Sequence, residues 1–399
     1  MAADRLWRGL TAPAFAALVV LSLLAPSVEA APRRSPLDRV VIVTANVLEG
    51  FDSGDLRDMS EMKVFARRVL DVVPLRPDVL LLQEVNSKSA HYIASIFSRK
   101  TGDRYVVVTD AGKVAHRETA TRIIKSDLAI VMNSKTMAKA GRSGYIVTRY
   151  RRAGAAKIEY KRNARALLAE RGGSLRLALV SVHLPKGGVL SATKKLRRKL
   201  DAVYPSSSSA HFEILGGDFN KVGVTYGGSY GQLDTHAFWD HLVETHGYAD
   251  SGYNVYEAKY VDYVFVRGGV WGAGFDKNYN PGAARGTAGF YSDHQFRWAV
   301  VGPDEIGPTT PSGVSIAARK DGGARMKLTW SRSTDNAGIA AYDIYRSTDN
   351  KTFRKVGTTS NTTYYDEKVS GGTRYWYRVF ARDWSNNLSK PSVTLDERA

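Results

Sequence analysis

The sequence predicts an α/β (α+β) layered domain followed by a small all-β sandwich. Three observations predict it. The chain has 399 residues, too many for one ordinary core. Up to residue 301, strand-like apolar runs alternate with helical patterns at uneven intervals. From Gly302 onward, only short strand-like runs separated by turn signals remain.

The first thirty residues are expected to be a targeting segment. Arg5 and Arg8 give it a positive start, an apolar run extends from Ala14 to Leu24, and small residues at Val28 and Ala30 precede a cleavage point before Ala31. The run is too short to span a bilayer comfortably, which favours a cleaved signal peptide over an uncleaved anchor and makes the expected product secreted. There is no cysteine, which excludes thiolate chemistry, cysteine-ligated zinc and disulfide bracing. Hydrophobic content of 43% is that of an ordinary folded protein, so disorder is not the default.

Strands are expected at Val40 to Thr44, Val79 to Leu82, Tyr105 to Val108, Leu128 to Met132, Leu175 to His183, Glu213 to Leu215, Val261 to Val266 and Phe296 to Val301. Met59 to Val73 has apolar residues at helical spacing and is stopped by Pro74 and Pro77. Ala90 to Phe97 reads as a second helix and Lys194 to Val203 as a basic amphipathic one. The proline- and glycine-containing stretch 303–310 reads as a linker. The expected organisation is therefore a signal peptide over 1–30, a catalytic domain over 38–302, the linker, and a second domain over 311–394.

Net charge is +18. Residues 307–399 carry 15 basic and 9 acidic side chains, a net of +6, and the first thirty residues are neutral, so about +12 sits on the larger domain. Such a surface attracts polyanions: a nucleic acid substrate is expected, with an anionic membrane or extracellular polymer surface as a further partner and no obligate protein partner. Basic clusters stand at Arg149 to Arg152, Lys161 to Arg165 and Lys194 to Lys199; each also fits a solvated face.

Six short segments place Asn, Asp, Glu or His at the end of an expected strand, where a side chain can reach a cleft outside a sheet. They are Thr44-Ala45-Asn46, Leu82-Gln83-Glu84-Val85, Ser181 to Pro185 around His183, Gly216-Gly217-Asp218-Phe219-Asn220, Val261-Asp262-Tyr263-Val264 and Ser292-Asp293-His294. These residue types suit phosphodiester hydrolysis. A hard cation such as Mg²⁺ or Mn²⁺ takes oxygen ligands, which Asn46, Glu84 and Asp293 offer. Imidazoles oriented by carboxylates move protons or stabilise charge developing on phosphate oxygens. His183 and His294 can do so, with Asp262 as the partner of His294. Asp218 and Asn220 can orient the attacking water and hold a phosphoryl oxygen. Gly216 and Gly217 are expected to let backbone and ligand approach closely.

In that order and spacing these segments resemble the endonuclease/exonuclease/phosphatase (deoxyribonuclease I-like) superfamily over residues 38–302. The resemblance implies a four-layer sandwich of two packed β-sheets flanked by helices, with the active site at one end. It implies Glu84 as principal metal ligand with Asn46 and Asp293 nearby. It also implies Asp218 and Asn220 at the nucleophile and phosphate, an Asp262–His294 pair, and His183 as second imidazole. Asp127 matches the carboxylate that orients that imidazole in the nuclease branch, and Arg165 matches the arginine that contacts phosphate. The sequence departs from the pancreatic-type pattern at Leu48 and Asn86, where arginines enter the DNA minor groove in that branch. Sphingomyelinases of the superfamily share the Asp-Tyr-Val-like strand. The exported ones touch membranes with exposed aromatics, and Trp271, Phe275 and Tyr279 in the glycine-rich stretch 268–289 either form such a loop or pack back onto the domain.

Residues 311–394 resemble a fibronectin type III domain, which implies an immunoglobulin-like sandwich. Trp330 stands at the position of its core tryptophan, Tyr342 to Arg346 fits the third strand, and Thr373 to Val379 fits the sixth, with Tyr375 as candidate tyrosine corner. The expected product is a secreted metal-dependent nuclease, with a sphingomyelinase-type phosphodiesterase and a catalytically inactive binding module as alternatives.

Overall fold

The computed structural model describes residues 38–47, 59–109, 116–117, 123–124, 127–149, 152–153, 158–159, 162–171, 175–203, 212–227, 232–251, 261–277, 279, 291–319, 324–336 and 338–399. The expected signal segment and Leu48 lie outside these, as does most of 278–290. Among the described residues, no helix is long and apolar enough to cross a membrane.

Two six-stranded sheets form the larger part. The first runs, edge to edge, Val270–Phe275, Arg297–Val301, Val40–Asn46, Val79–Val85, Asp127–Asn133 and Tyr105–Thr109. The second runs Ala249–Ser251, Asp262–Arg267, Phe212–Asp218, Leu175–His183, Arg162–Arg171 and Ala138–Arg149. Their central strands are mostly apolar because both faces are covered. Along Val40–Asn46, Val41, Val43 and Ala45 pack beneath helices, whereas Val40 and Ile42 join the core between the sheets.

Helices Met59–Val72 and Ser87–Thr101 cover the outer face of the first sheet. In the former, Met62, Phe65, Ala66 and Val69 recur at helical spacing and are buried. The latter starts earlier than expected because Asn86 caps it, its side-chain oxygen accepting from Ser89 N at 2.9 Å. Gly102 closes it at φ 71°, its N–H donating to Ser98 O. Helix Val189–Val203 and the short Ala237–Asp240 turn cover the second sheet. The order helix, sheet, sheet, helix is the four-layer sandwich the sequence predicts.

Several strands were not expected from periodicity. Ala138–Arg149 and Arg162–Arg171 pair with each other as long antiparallel strands, which places Arg149 of the first basic cluster and Arg162 to Arg165 of the second in strands. Val270–Phe275 forms within the glycine-rich stretch. Gly216 and Gly217, expected just past a short strand, lie inside Phe212–Asp218.

The C-terminal part is an all-β sandwich of seven strands. Three form one sheet (Ser312–Arg319, Arg325–Ser331, Thr363–Asp366) and four the other (Arg354–Thr359, Ile339–Ser347, Arg374–Asp383, Leu395–Arg398). Trp330 is 5% exposed and meets Tyr342 edge-on at 5.2 Å between ring centres. The Tyr375 hydroxyl accepts from Ser370 N at 2.9 Å, tying the strand to the backbone just upstream as a tyrosine corner does. Residues 303–310 carry no helix or strand.

Candidate active site

The strand registers assemble the site. In the second sheet His183 pairs with Asp218 and Asp218 with Asp262, so three functional side chains stand abreast across one sheet end. In the first sheet Asn46 pairs with Gln83, which brings Glu84 to the corresponding end. The register of Val79–Val85 against Asp127–Asn133 slips between Leu82 and Val85, and Glu84 sits in that bulge at φ 51°. A bulge re-aims one side chain out of the pleat alternation. A non-glycine residue at positive φ costs of order 1–3 kcal/mol, a strain that clusters at functional positions.

The aimed carboxylate meets the other sheet. Glu84 Oε1 accepts from Asn46 Nδ2 at 3.1 Å and lies 3.4 Å from His183 Nε2. Asn46 Nδ2 also reaches Asp218 Oδ2 at 3.2 Å, and His183 Nε2 lies 3.5 Å from the same oxygen. Asn220, at φ 53°, folds back so that its N–H donates to Asp218 Oδ1 at 2.6 Å while its Nδ2 donates to Leu184 O at 2.7 Å. His294 Nδ1 is 2.8 Å from Asp262 Oδ2, and its Nε2 is 4.0 Å from Asp218 Oδ2. The Ser292 hydroxyl donates to Asn46 O at 2.6 Å and accepts from His294 N at 3.1 Å, which latches this loop onto the first sheet.

Burial sets the electrostatics. The Asp218 side chain is 2% exposed, and burial together with the charge of Asp262 raises its pKa to about 7. Burial alone would lower the His294 pKa, but the Asp262 carboxylate outweighs it and pushes the imidazole up to about 10. His294 is therefore held as an imidazolium at neutral pH.

Of the sequence-derived residues, the structure brings together Asn46, Glu84, His183, Asp218, Asn220, Asp262 and His294. Asp293 stands at the rim, 55% exposed, with Oδ1 3.9 Å from His294 Nε2. Arg165 is in register with Ser181 on the neighbouring strand, and Asp127 with Val85; the side chains of both lie outside the described residues. Glu84, His183 and Asp218 offer ligand atoms within 4.8 Å of one another, as do Asp218, Asp262 and His294. Two carboxylates with an amide and an imidazole beside them suit a hard divalent cation that keeps part of its water.

One expectation is corrected. The glycine pair does not make room for a ligand. A Cβ on Gly217, at φ 154°, would stand 1.9 Å from Val182 O, and one on Gly216 would stand 2.5 Å from Leu81 Cδ1. The glycines make room for the neighbouring strand and the opposite sheet, and so bring Asp218 to Glu84. Sequence reasoning also assigned no role to Gln83, Thr44 and Ser181. Gln83 is fully buried, and its Nε2 donates to Ser181 Oγ at 2.9 Å and Thr44 Oγ1 at 3.1 Å, bridging the two sheets directly below the site. The available signal was a polar residue in the inter-sheet register of otherwise apolar strands.

No known family model matches the sequence. Among solved structures, the chain is similar to an endonuclease/exonuclease/phosphatase from Beutenbergia cavernae DSM 12333, at 13% identity and TM-score 0.49, covering 91% of this chain and 100% of that one. It is also similar to a mannosyl-6-phosphatase of Bacteroides thetaiotaomicron VPI-5482, at 15% identity and TM-score 0.45, covering 66% of this chain and 99% of that one. At TM-scores below 0.5 these remain likenesses, and what the site can do follows from its own geometry. Among curated proteins, an amylopullulanase of Thermoanaerobacterium saccharolyticum is 33% identical over 199 residues, 48% of this chain and 13% of that protein. Exoglucanase B of Cellulomonas fimi is 32% identical over 115 residues, 28% of this chain and 10% of that protein. The matched stretches are thus about an eighth or less of these relatives' length.

Proposed function

We propose that this chain is a divalent-metal-dependent phosphodiester hydrolase of the endonuclease/exonuclease/phosphatase type, acting on nucleic acid and exported by its first thirty residues. One observation carries the reading: Glu84, His183, Asp218, Asn220, Asp262 and His294, spread over more than two hundred positions, converge on one point at the ends of two sheets. Glu84 and Asp218, with Asn46 beside them and Asp293 at the rim, would hold Mg²⁺ or Mn²⁺, which when bound neutralises charge on the scissile phosphate. Asp218 and Asn220 orient the attacking water, and imidazolium His294, fixed by Asp262, stabilises the phosphoryl oxygens. His183 supplies a second proton-carrying or hydrogen-bonding group on the opposite side.

Nucleic acid is favoured over a membrane lipid because the aromatics of the glycine-rich stretch turn inward. Phe275 is 7% exposed, Tyr279 packs on the helix-covered core, and Trp271 Nε1 donates to Pro303 O at 2.9 Å under a stacked Arg39. Asn86 is committed to capping a helix, so duplex DNA would be held without a minor-groove contact from that position. We propose further that the chain divides into a catalytic domain over 38–302, a linker over 303–310 and a fibronectin type III-like domain over 311–394; the tyrosine corner supports the last assignment.

The test is hydrolysis of plasmid DNA, RNA and sphingomyelin liposomes with and without EDTA. Cleavage of nucleic acid is expected, abolished by EDTA. Glu84→Ala and His183→Ala should each lower turnover by about a thousandfold or more, with the thermal melt nearly unchanged. Turnover that survives EDTA, or an active double variant, would refute the assignment.

A further inference from the structure

The outer face of the four-stranded C-terminal sheet has no part in the chemistry above. Along Arg374–Asp383, burial alternates strictly. Tyr375, Tyr377, Val379 and Ala381 point into the sandwich core, which leaves Arg374, Trp376, Arg378, Phe380 and Arg382 on the other side. Tyr345, opposite Arg378 on the next strand, meets Phe380 edge-on at 5.0 Å between ring centres. The Arg378 guanidinium lies 4.0 Å from the centre of the Phe353 ring and donates to Thr394 Oγ1 at 2.8 Å. Arg374, 57% exposed, lies 5.6 Å from the Trp376 ring and is paired with Asp396. Aromatic rings and arginines thus alternate across one half-exposed face.

The stripe has a direction. At its far end Arg382 and Lys355 are both tied to Asp343, each at 3.2 Å, and face Asp240 and Glu244 across a cavity of about 370 Å³. That acidic wall repels a polyanion. The end carrying Trp376, Phe353 and Arg378 is the one that can receive it, in a C-terminal part whose net charge is +6.

We propose that this face is a landing platform for single-stranded nucleic acid, with bases stacking on Trp376 and Phe353 and the backbone following Arg378 and Arg374. Flat rings interleaved with cations accept any base sequence, because every base has a stacking face and every nucleotide a charge. The choice of nucleic acid among polyanions rests on the phosphodiesterase reading of the catalytic site. The platform itself is tested by binding alone.

The experiment uses the full chain carrying His183→Ala, which binds without cutting, and a fluorescein-labelled oligothymidylate of about sixteen nucleotides read by anisotropy. Adding Trp376→Ala and Phe353→Ala should weaken binding about tenfold or more. Competition by dextran sulfate, which has charge but no bases, should be the same for the parent and this variant. Arg378→Gln, which leaves the rings in place, should weaken binding and flatten the slope of log affinity against log salt by about 0.7. In the His183-intact chain, hydrolysis of bis(4-nitrophenyl) phosphate, too small to reach the platform, should be unaffected by all three changes. Unchanged oligonucleotide affinity in either folded variant overturns the proposal, as does an equal loss of dextran sulfate binding. A chain that fails to hydrolyse the small diester refutes the phosphodiesterase reading, while the anisotropy result still decides the platform.

Discussion

Two titrations at the centre of the site oppose each other, and their opposition sets a pH window. In the proposed reaction Asp218 acts as a carboxylate, and its pKa is raised to about 7 by burial and by Asp262. Activity that needs its charged form therefore rises as pH increases through about 7, or lower once a cation sits beside it. In the same proposal His294 acts as an imidazolium, held up to about 10 by Asp262, so activity should fall above that. A bell-shaped kcat/KM profile is expected, with an acid limb no higher than about 7 and an alkaline limb near 10. Asp262→Asn removes the charge that raises both groups, so both limbs should move to lower pH, the alkaline one toward an ordinary imidazole value. A profile unmoved by Asp262→Asn would show that His294 is not the group on the alkaline limb. Of this site, the side-chain inventory was legible in the sequence: Asn46, Glu84, His183, Asp218, Asn220, Asp262 and His294 are all where strand-end reasoning placed them. The bulge that turns Glu84 was not, because Leu82-Gln83-Glu84-Val85 reads as continuous strand and the register slip is decided by the partner strand.

At the level of elements, the geometry depends on how closely strands and sheets approach. Gly217 lies where the Leu175–His183 strand crosses nearest, and its φ of 154° belongs to a region that side chains rarely adopt. Gly217→Ala would drive a methyl group into the Val182 carbonyl, which cannot yield without displacing His183 one residue on. We expect a loss of about 3 kcal/mol or more in urea unfolding, and a fall in turnover in whatever protein remains folded. A stable, fully active Gly217→Ala protein would mean that the two strands do not pack this tightly. The same scale explains what sequence reading found and what it lost. Buried strands and the helix Met59–Val72 carry strong periodicity and were found. Ala138–Arg149 and Arg162–Arg171 lie toward an edge of the second sheet, and their short apolar runs, Tyr145 to Val147 and Ala166 to Ala169, are flanked by arginines and so did not mark strands of this length. Val270–Phe275 is masked by glycines that a strand interior seldom carries.

Across the whole molecule, residues 303–304 and 306 lie among hydrogen bonds that join the larger part to the sandwich. Residues 32–399 form one compact unit. Ser385, in the turn after Arg374–Asp383, accepts from Val270 N at 2.9 Å and lies within hydrogen-bond distance of both Val270 O and Asp304 Oδ2. Asn387 Nδ2 donates to Asp304 O at 3.1 Å, and Trp384 packs against the core between the two six-stranded sheets. A turn of the sandwich therefore completes the edge of the first six-stranded sheet, capping the start of its Val270–Phe275 strand. Such a contact couples the two parts in unfolding, since neither can melt without exposing apolar surface on the other. We expect a single calorimetric transition for the parent chain. Trp384→Ala removes a half-buried indole from the seam and should cost about 2 kcal/mol, separating the melt into two transitions, with the larger part unfolding first. Two transitions in the parent, or one unshifted transition in Trp384→Ala, would mean that the seam carries no coupling. The expected order follows from the burial: the first six-stranded sheet loses cover over Val270 and its neighbours, whereas the sandwich keeps its own core of Trp330, Tyr342, Ile344 and Val379 intact.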